Sequence, residues 1–178
     1  MKRLLRISLD TLLISTMPII MWILLGIILD KNITNVFTLT YPIQFAITLL
    51  LSIFAIGPNV NATKNDKQYL IDSNIILGTI ISFIITSFLC INVENYIKFM
   101  SMDVETYKVF CLYSFILMYL QLILQFVCQK LYYLEKNKES NKLTIIFNIV
   151  NIISIIGIAY ITKNQIVSVV FTIVVDVL

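Results

Sequence analysis

Apolar runs of membrane-spanning length recur down the chain, and nothing else in the sequence constrains the fold as strongly. They cover Thr11–Leu29, Ile33–Gly57, Asp72–Val93, Tyr107–Cys128 and Leu143–Thr162, and a shorter run starts at Gln165 and reaches Leu178. A helix needs about 20 predominantly apolar residues to cross the hydrocarbon core of a bilayer. Open sheet edges are not tolerated in that core, because no water is there to satisfy them. Composition agrees: 59% of residues are hydrophobic, only 13% are charged, and the mean hydropathy is +0.93. Soluble domains carry roughly 25% charged residues. The expected fold is therefore all-α, a single polytopic transmembrane helix bundle over residues 1–178, with five helices plus the start of a sixth.

The opening "MKRLLR" ahead of the first run resembles the charged end of a signal peptide, yet no small-x-small cleavage site follows and further runs of similar length come after it. Short polar breaks part the runs, and none is long enough for a soluble domain. With the N-terminus in the cytoplasm, the inner breaks hold Lys2, Arg3, Arg6, Lys64, Lys67, Lys130, Lys136, Lys138 and Lys142. The outer ones hold Lys31, Lys98, Lys108 and Lys163. Basic residues concentrate on the cytoplasmic side of membrane proteins. The pattern thus predicts a multi-pass protein of the cell membrane with a cytoplasmic N-terminus. The closing "VVFTIVVDVL" stops inside an apolar run. A helix of 14 residues spans roughly 21 Å, short of a ~30 Å core, so the chain is expected to be a fragment of a longer membrane protein.

Several chemistries find no foothold. The chain has no histidine, which removes the commonest metal ligand and the near-neutral proton shuttle. Cys90, Cys111 and Cys128 lie far apart inside apolar runs and read as buried thiols. A net charge of +3 is too small to point to nucleic acid. Inside the apolar runs there is no pair of carboxylates at helical spacing and no nucleophile–base pair, so no enzyme activity, cofactor or metal is expected. The partner expected from composition is the lipid bilayer.

The candidate functional residues are the polar ones inside the apolar runs, since an unpaired amide is costly in lipid and turns toward other helices or a wet cavity. In "FNIVNIISIIGIAY" (147–160), Asn148, Asn151 and Ser154 recur three residues apart along one slanting face of the fifth run. They form either a polar seam against a neighbouring helix or the wall of a cavity. If they line a cavity, they are expected to point toward the bundle interior, with Ile149, Ile152 and Ile156 facing elsewhere. Asp30 ends the first run, and it is either a headgroup-zone residue beside Lys31 or a functional carboxylate. Asp176 lies deep in the last run. Gln44 follows Pro42 in the second run, and Gln121 shares a face of the fourth with Gln125. Pro18 and Pro42 can each kink a helix.

Three stretches carry a family resemblance. "YPIQFAITLLLSIFAIGPNVNATKNDKQ" is similar to the second helix and following loop of the multidrug and toxic compound extrusion family. "VFCLYSFILMYLQLILQFVCQKLYYLEKNKESNK" is similar to its fourth helix and next loop, and "FNIVNIISII" to its fifth-helix motif. Ile155 stands where many relatives carry Asp. The resemblance implies that Asp30 matches the first-helix carboxylate and Asn151 the fifth-helix amide. It implies a twelve-helix transporter of two lobes, with this chain as the first lobe and the second lobe missing from it. It further implies a secondary active transporter, an efflux antiporter for amphipathic or cationic small molecules driven by proton or sodium entry, with H+ or Na+ as the coupling ion. The alternative is a small complete membrane protein, such as the substrate-capture subunit of a vitamin importer.

Overall fold

The computed structural model describes residues 19–65 and 68–177. Everything of regular structure there is helical. Helix α1 covers Ile19–Ile28. A 3-10 turn at Lys31–Ile33 leads into α2 (Thr34–Asn65), followed by α3 (Gln68–Ile91), the short α4 (Val93–Phe99), α5 (Val104–Tyr133), α6 (Asn137–Thr162) and α7 (Gln165–Val177). No strand occurs among the described residues. Among the described residues four helices are long and apolar enough to cross a membrane: those containing Lys31–Phe54, Ile71–Ile91, Val104–Tyr133 and Lys138–Thr162. The expected five complete spans are not reached, because α1 is described only from Ile19. Residues 11–18 of the first run, Pro18 among them, lie outside the described residues. The last run forms the shorter helix α7, as its length requires. Helix α2 continues through Pro42 without interruption.

Helix α5 is the axis of the bundle. It packs against α2, α3, α4, α6 and α7, and 50% of its apolar stretch is buried, against 17–22% for the other three long helices. Its Phe110, Cys111, Phe115 and Phe126 are fully buried. Trp22 of α1 meets Phe110 and Tyr113 edge-on, with ring centroids 6.0 and 6.2 Å away. The outward faces of α2 and α3 are just as apolar: Phe45, Leu49, Ile80, Phe83 and Phe88 are all more than half exposed. A continuous belt of this kind is a poor fit to water and a good one to acyl chains.

Small residues set the closest approaches. A Cβ on Gly78 would lie 2.8 Å from the Phe126 ring and 3.2 Å from Phe54 Cβ, so α2, α3 and α5 meet at a point only glycine fits. Gly26 likewise faces the Thr34 methyl group across the α1–α2 turn. The ends of the bundle are pinned by charge. Lys130 of α5 reaches Asp72 of α3 at 2.6 Å at one end, and Lys108 pairs with Glu94 of α4 at the other. The sequence reading took Glu94–Thr106 as a plain break. It contains α4, whose Val93 and Ile97 are buried against the bundle. Asp103 caps α5 by accepting from Thr106 N at 2.8 Å.

Candidate functional site

Two polar clusters flank α5, and they start from adjacent residues. Ser114 faces α2, where its hydroxyl lies 2.8 Å from Thr40 Oγ1. Gln44 Nε2 donates to the Ser114 hydroxyl at 2.6 Å and to the Ser114 carbonyl at 2.8 Å. Thr40 and Gln44 are four apart, so one face of α2 presents both. Thr40 also donates to Val36 O at 2.9 Å, and its side chain is thereby satisfied inside the bundle.

Tyr113 faces the other way, toward α6 and α7. Asn151 Nδ2 donates to the Tyr113 oxygen at 2.8 Å, and the Tyr113 hydroxyl lies 3.1 Å from Asn151 Oδ1, to which it donates. The same Nδ2 donates to Asp176 Oδ2. Tyr113 is 1% and Asn151 3% exposed, so water does not reach the pair. Asp176 is half-buried, and its other oxygen, Oδ1, is enclosed without a hydrogen-bond partner. No ion pair to Asp176 occurs among the described residues. Counted along their helices from the α6–α7 turn and the start of α5, the three residues lie roughly 14–17 Å deep at 1.5 Å per residue. That is about half of a ~30 Å core. An apolar cleft of about 360 Å³ adjoins Asp176, lined among others by Leu120, Leu124, Val127, Leu143 and Phe147.

The structure brings together only some of the expected site residues. Asn151 and Asp176 meet directly, and Gln44 belongs to the α2–α5 cluster. Asn148 is buried but bonds within its own helix, donating to Thr144 O at 2.9 Å. Ser154 is half-buried and makes no hydrogen bond to the cluster. The buried face of α6 therefore runs Asn148, Asn151, Ile155, Ala159, a helical repeat that leaves the three-residue stripe after Asn151. The isoleucines correct the expectation in the same way. Ile149 is exposed, whereas Ile152 and Ile156 pack against the main core rather than facing elsewhere. Gln121 is half-buried on α5 and makes no hydrogen bond to either cluster. Asp30 caps the 3-10 turn, accepting from Asn32 N at 2.8 Å, and is not joined to Asn151. The carboxylate that meets the α6 amide is Asp176.

Sequence reading missed Tyr113, Ser114 and Thr40, which are uncharged and sit in ordinary apolar surroundings. One signal was available. Asn151 lies 11 residues before the end of α6 and Asp176 lies 11 residues after the start of α7, so a hairpin about the Lys163–Asn164 turn sets them level. Comparison with known proteins adds no family: no protein-family model, no curated protein and no solved structure matches this chain.

Proposed function

We propose that the chain is a membrane-embedded secondary transporter, one lobe of an efflux antiporter resembling the multidrug and toxic compound extrusion family. In this reading Asp176 is the group that answers the coupling cation. The observation that carries the reading is a single one. A carboxylate stands at mid-bundle depth with one oxygen held by Asn151, the other enclosed and unpartnered, and no cationic side chain beside it among the described residues. A charge in that position is costly, and ionisable residues inside membrane helices are by default functional. A proton or a sodium ion would satisfy the free oxygen. The adjoining apolar cleft would take the hydrophobic body of an amphipathic substrate, with the carboxylate at its polar end. Filling or emptying the carboxylate changes the donors and acceptors that join α5, α6 and α7, and so shifts the balance between two arrangements of these helices. No covalent chemistry is needed.

The test is transport by the full native polypeptide in proteoliposomes. A fluorescent lipophilic cation should move when a proton or sodium gradient is imposed, and Asp176→Asn should abolish the gradient dependence. Undiminished gradient-driven transport by Asp176→Asn would remove the assignment. Tight substrate binding with no gradient dependence in the native protein would favour a substrate-capture subunit instead.

A further inference from the structure

We infer that Tyr113 is the positioning residue of this site, setting the Asn151 amide against Asp176 and passing a change in that pair to Trp22 of α1. The inference rests on the cation-responsive reading of Asp176 given above. Its geometry is independent of the substrate.

The Tyr113 oxygen stands within hydrogen-bond distance of both ends of one amide, 2.8 Å from Nδ2 and 3.1 Å from Oδ1 of Asn151. A hydroxyl donates and accepts, so it can serve either end. Asp176 imposes the choice. As a free carboxylate it only accepts, and it takes the Asn151 N–H. Once it holds a proton or a metal cation, its demand changes: a carboxylic acid donates, and a bound cation seeks oxygen. Either is met by Asn151 Oδ1 if the amide turns over, and then Nδ2 needs an acceptor. Tyr113 is the group placed to supply it. The amide thus has two satisfied orientations, both completed by Tyr113, and a turn from one to the other moves the hydrogen-bond demand on the Tyr113 ring.

The ring has a neighbour that would register the change. Trp22 packs against Tyr113 edge-on at 6.2 Å and is 4% exposed. It is the one tryptophan in the sequence. Of the polar groups at Asp176, Tyr113 comes from α5 and Asn151 from α6. The residues of α5 and α6 that line the cleft are apolar, and α7 has no other ionisable residue. The hydrogen-bonded path from the carboxylate toward α1 therefore runs through Asn151 and Tyr113.

Trp22 emission provides the readout. The full protein in detergent micelles is titrated with sodium chloride against choline chloride, and separately with acid. Cation binding is followed in parallel by retention of radioactive sodium and by proton uptake in weak buffer. Wild type should show an emission shift that tracks binding. Tyr113→Phe keeps the ring and its packing but loses the hydroxyl, so it should bind the cation more weakly and, once saturated with cation, show no emission shift. Asp176→Asn should lose both. A double variant, Trp22→Phe with Phe99→Trp, moves the reporter to an exposed site on α4 and should not respond. Binding without any Trp22 response in wild type would overturn the inference and leave the transport reading standing. A shift that persists in Tyr113→Phe, or that appears equally at position 99, would overturn it as well. If wild type binds neither sodium nor a proton at Asp176, both readings fall together.

Discussion

Asn151 is the residue on which the α5–α6–α7 contact turns, because its side chain bonds partners from two other helices. Asn151→Leu leaves the Tyr113 hydroxyl and Asp176 Oδ2 without their amide, so that neither Asp176 oxygen has a partner. Leaving buried polar groups unpaired costs about 1–3 kcal/mol, and more for charged ones. The expected result is a clear fall in the thermal unfolding temperature in detergent. Asp176→Asn removes the uncompensated charge and keeps an acceptor for Asn151, so its unfolding temperature should equal or exceed that of wild type. The double variant Asn151→Leu with Asp176→Leu should recover most of the loss, since replacing both partners by apolar groups can be nearly neutral. If the double variant is no more stable than Asn151→Leu alone, the direct contact is not what holds these helices. Sequence alone singled out both residues, because an amide and a carboxylate in apolar runs stand out on cost. It could not pair them. That step needs the helix ends, which fix the depth of each residue, and the rotation of α6, which Ile155 and Ala159 set by their burial. Asp30 was as conspicuous, and its role as a cap came from the turn after it, a local geometry that hydropathy does not report.

Helix positions and extents were the most legible part of the chain, since each apolar run became a helix within the described residues. Their contacts were not. Gly78 looks like any glycine in "NIILGTIIS", yet it lets α3 close on Phe126 and Phe54. Gly78→Val must push the fully buried Phe126 ring aside. Such overpacking costs typically about 1–3 kcal/mol, and the loss should appear in the unfolding temperature, while Gly157→Val, with open space around the position, should be close to neutral. Helix α4 was missed because seven residues with three charged or amide groups read as a loop; Val93 and Ile97 give it an inner face. The contact between α4 and α5 depends on pH in a defined direction. Hydrogen bonding and the charge of Lys108 hold the Glu94 carboxyl below its ordinary range, and bonds from the Thr106 side chain and backbone do the same for Asp103. A carboxyl with a lowered folded-state pKa stabilises the fold above its ordinary pKa, and that contribution is lost as pH falls through the folded value. Both groups are solvent-exposed, so salt also weakens the Glu94–Lys108 pair. Amide exchange at Thr106, corrected for its intrinsic rate, should therefore quicken on acidification below the carboxylate range. An unchanged corrected rate would show that Asp103 does not hold this end.

For the molecule as a whole, the helix ends divide the charges into two sets that the bundle keeps apart. The Asp72–Lys130 pair lies at one end and the Glu94–Lys108 pair at the other. The exposed Glu135 and Lys138 flank the α5–α6 turn, at the end where α5 stops, while Asn32 and Asn95 are exposed at the opposite end. The alternation of runs and breaks in the sequence predicts nine of its 13 Lys and Arg on one side of the membrane. Basic loops stay in the cytoplasm during insertion, and the bias sets the orientation of the whole bundle. A single engineered cysteine then reports the side directly. Cys111 and Cys128 are buried and Cys90 is half-buried, so these three are first replaced by serine or alanine to remove the background. A membrane-impermeant maleimide added to intact cells should label Asn32→Cys and Asn95→Cys. It should leave Glu135→Cys and Lys138→Cys unlabelled until the membrane is opened. The two ends are physically distinct in the fold, so the labelling must favour one set. The opposite pattern would invert the membrane orientation, placing the Asp176 cleft, which lies along the halves of α5 and α6 nearest their connecting turn, on the outer side instead.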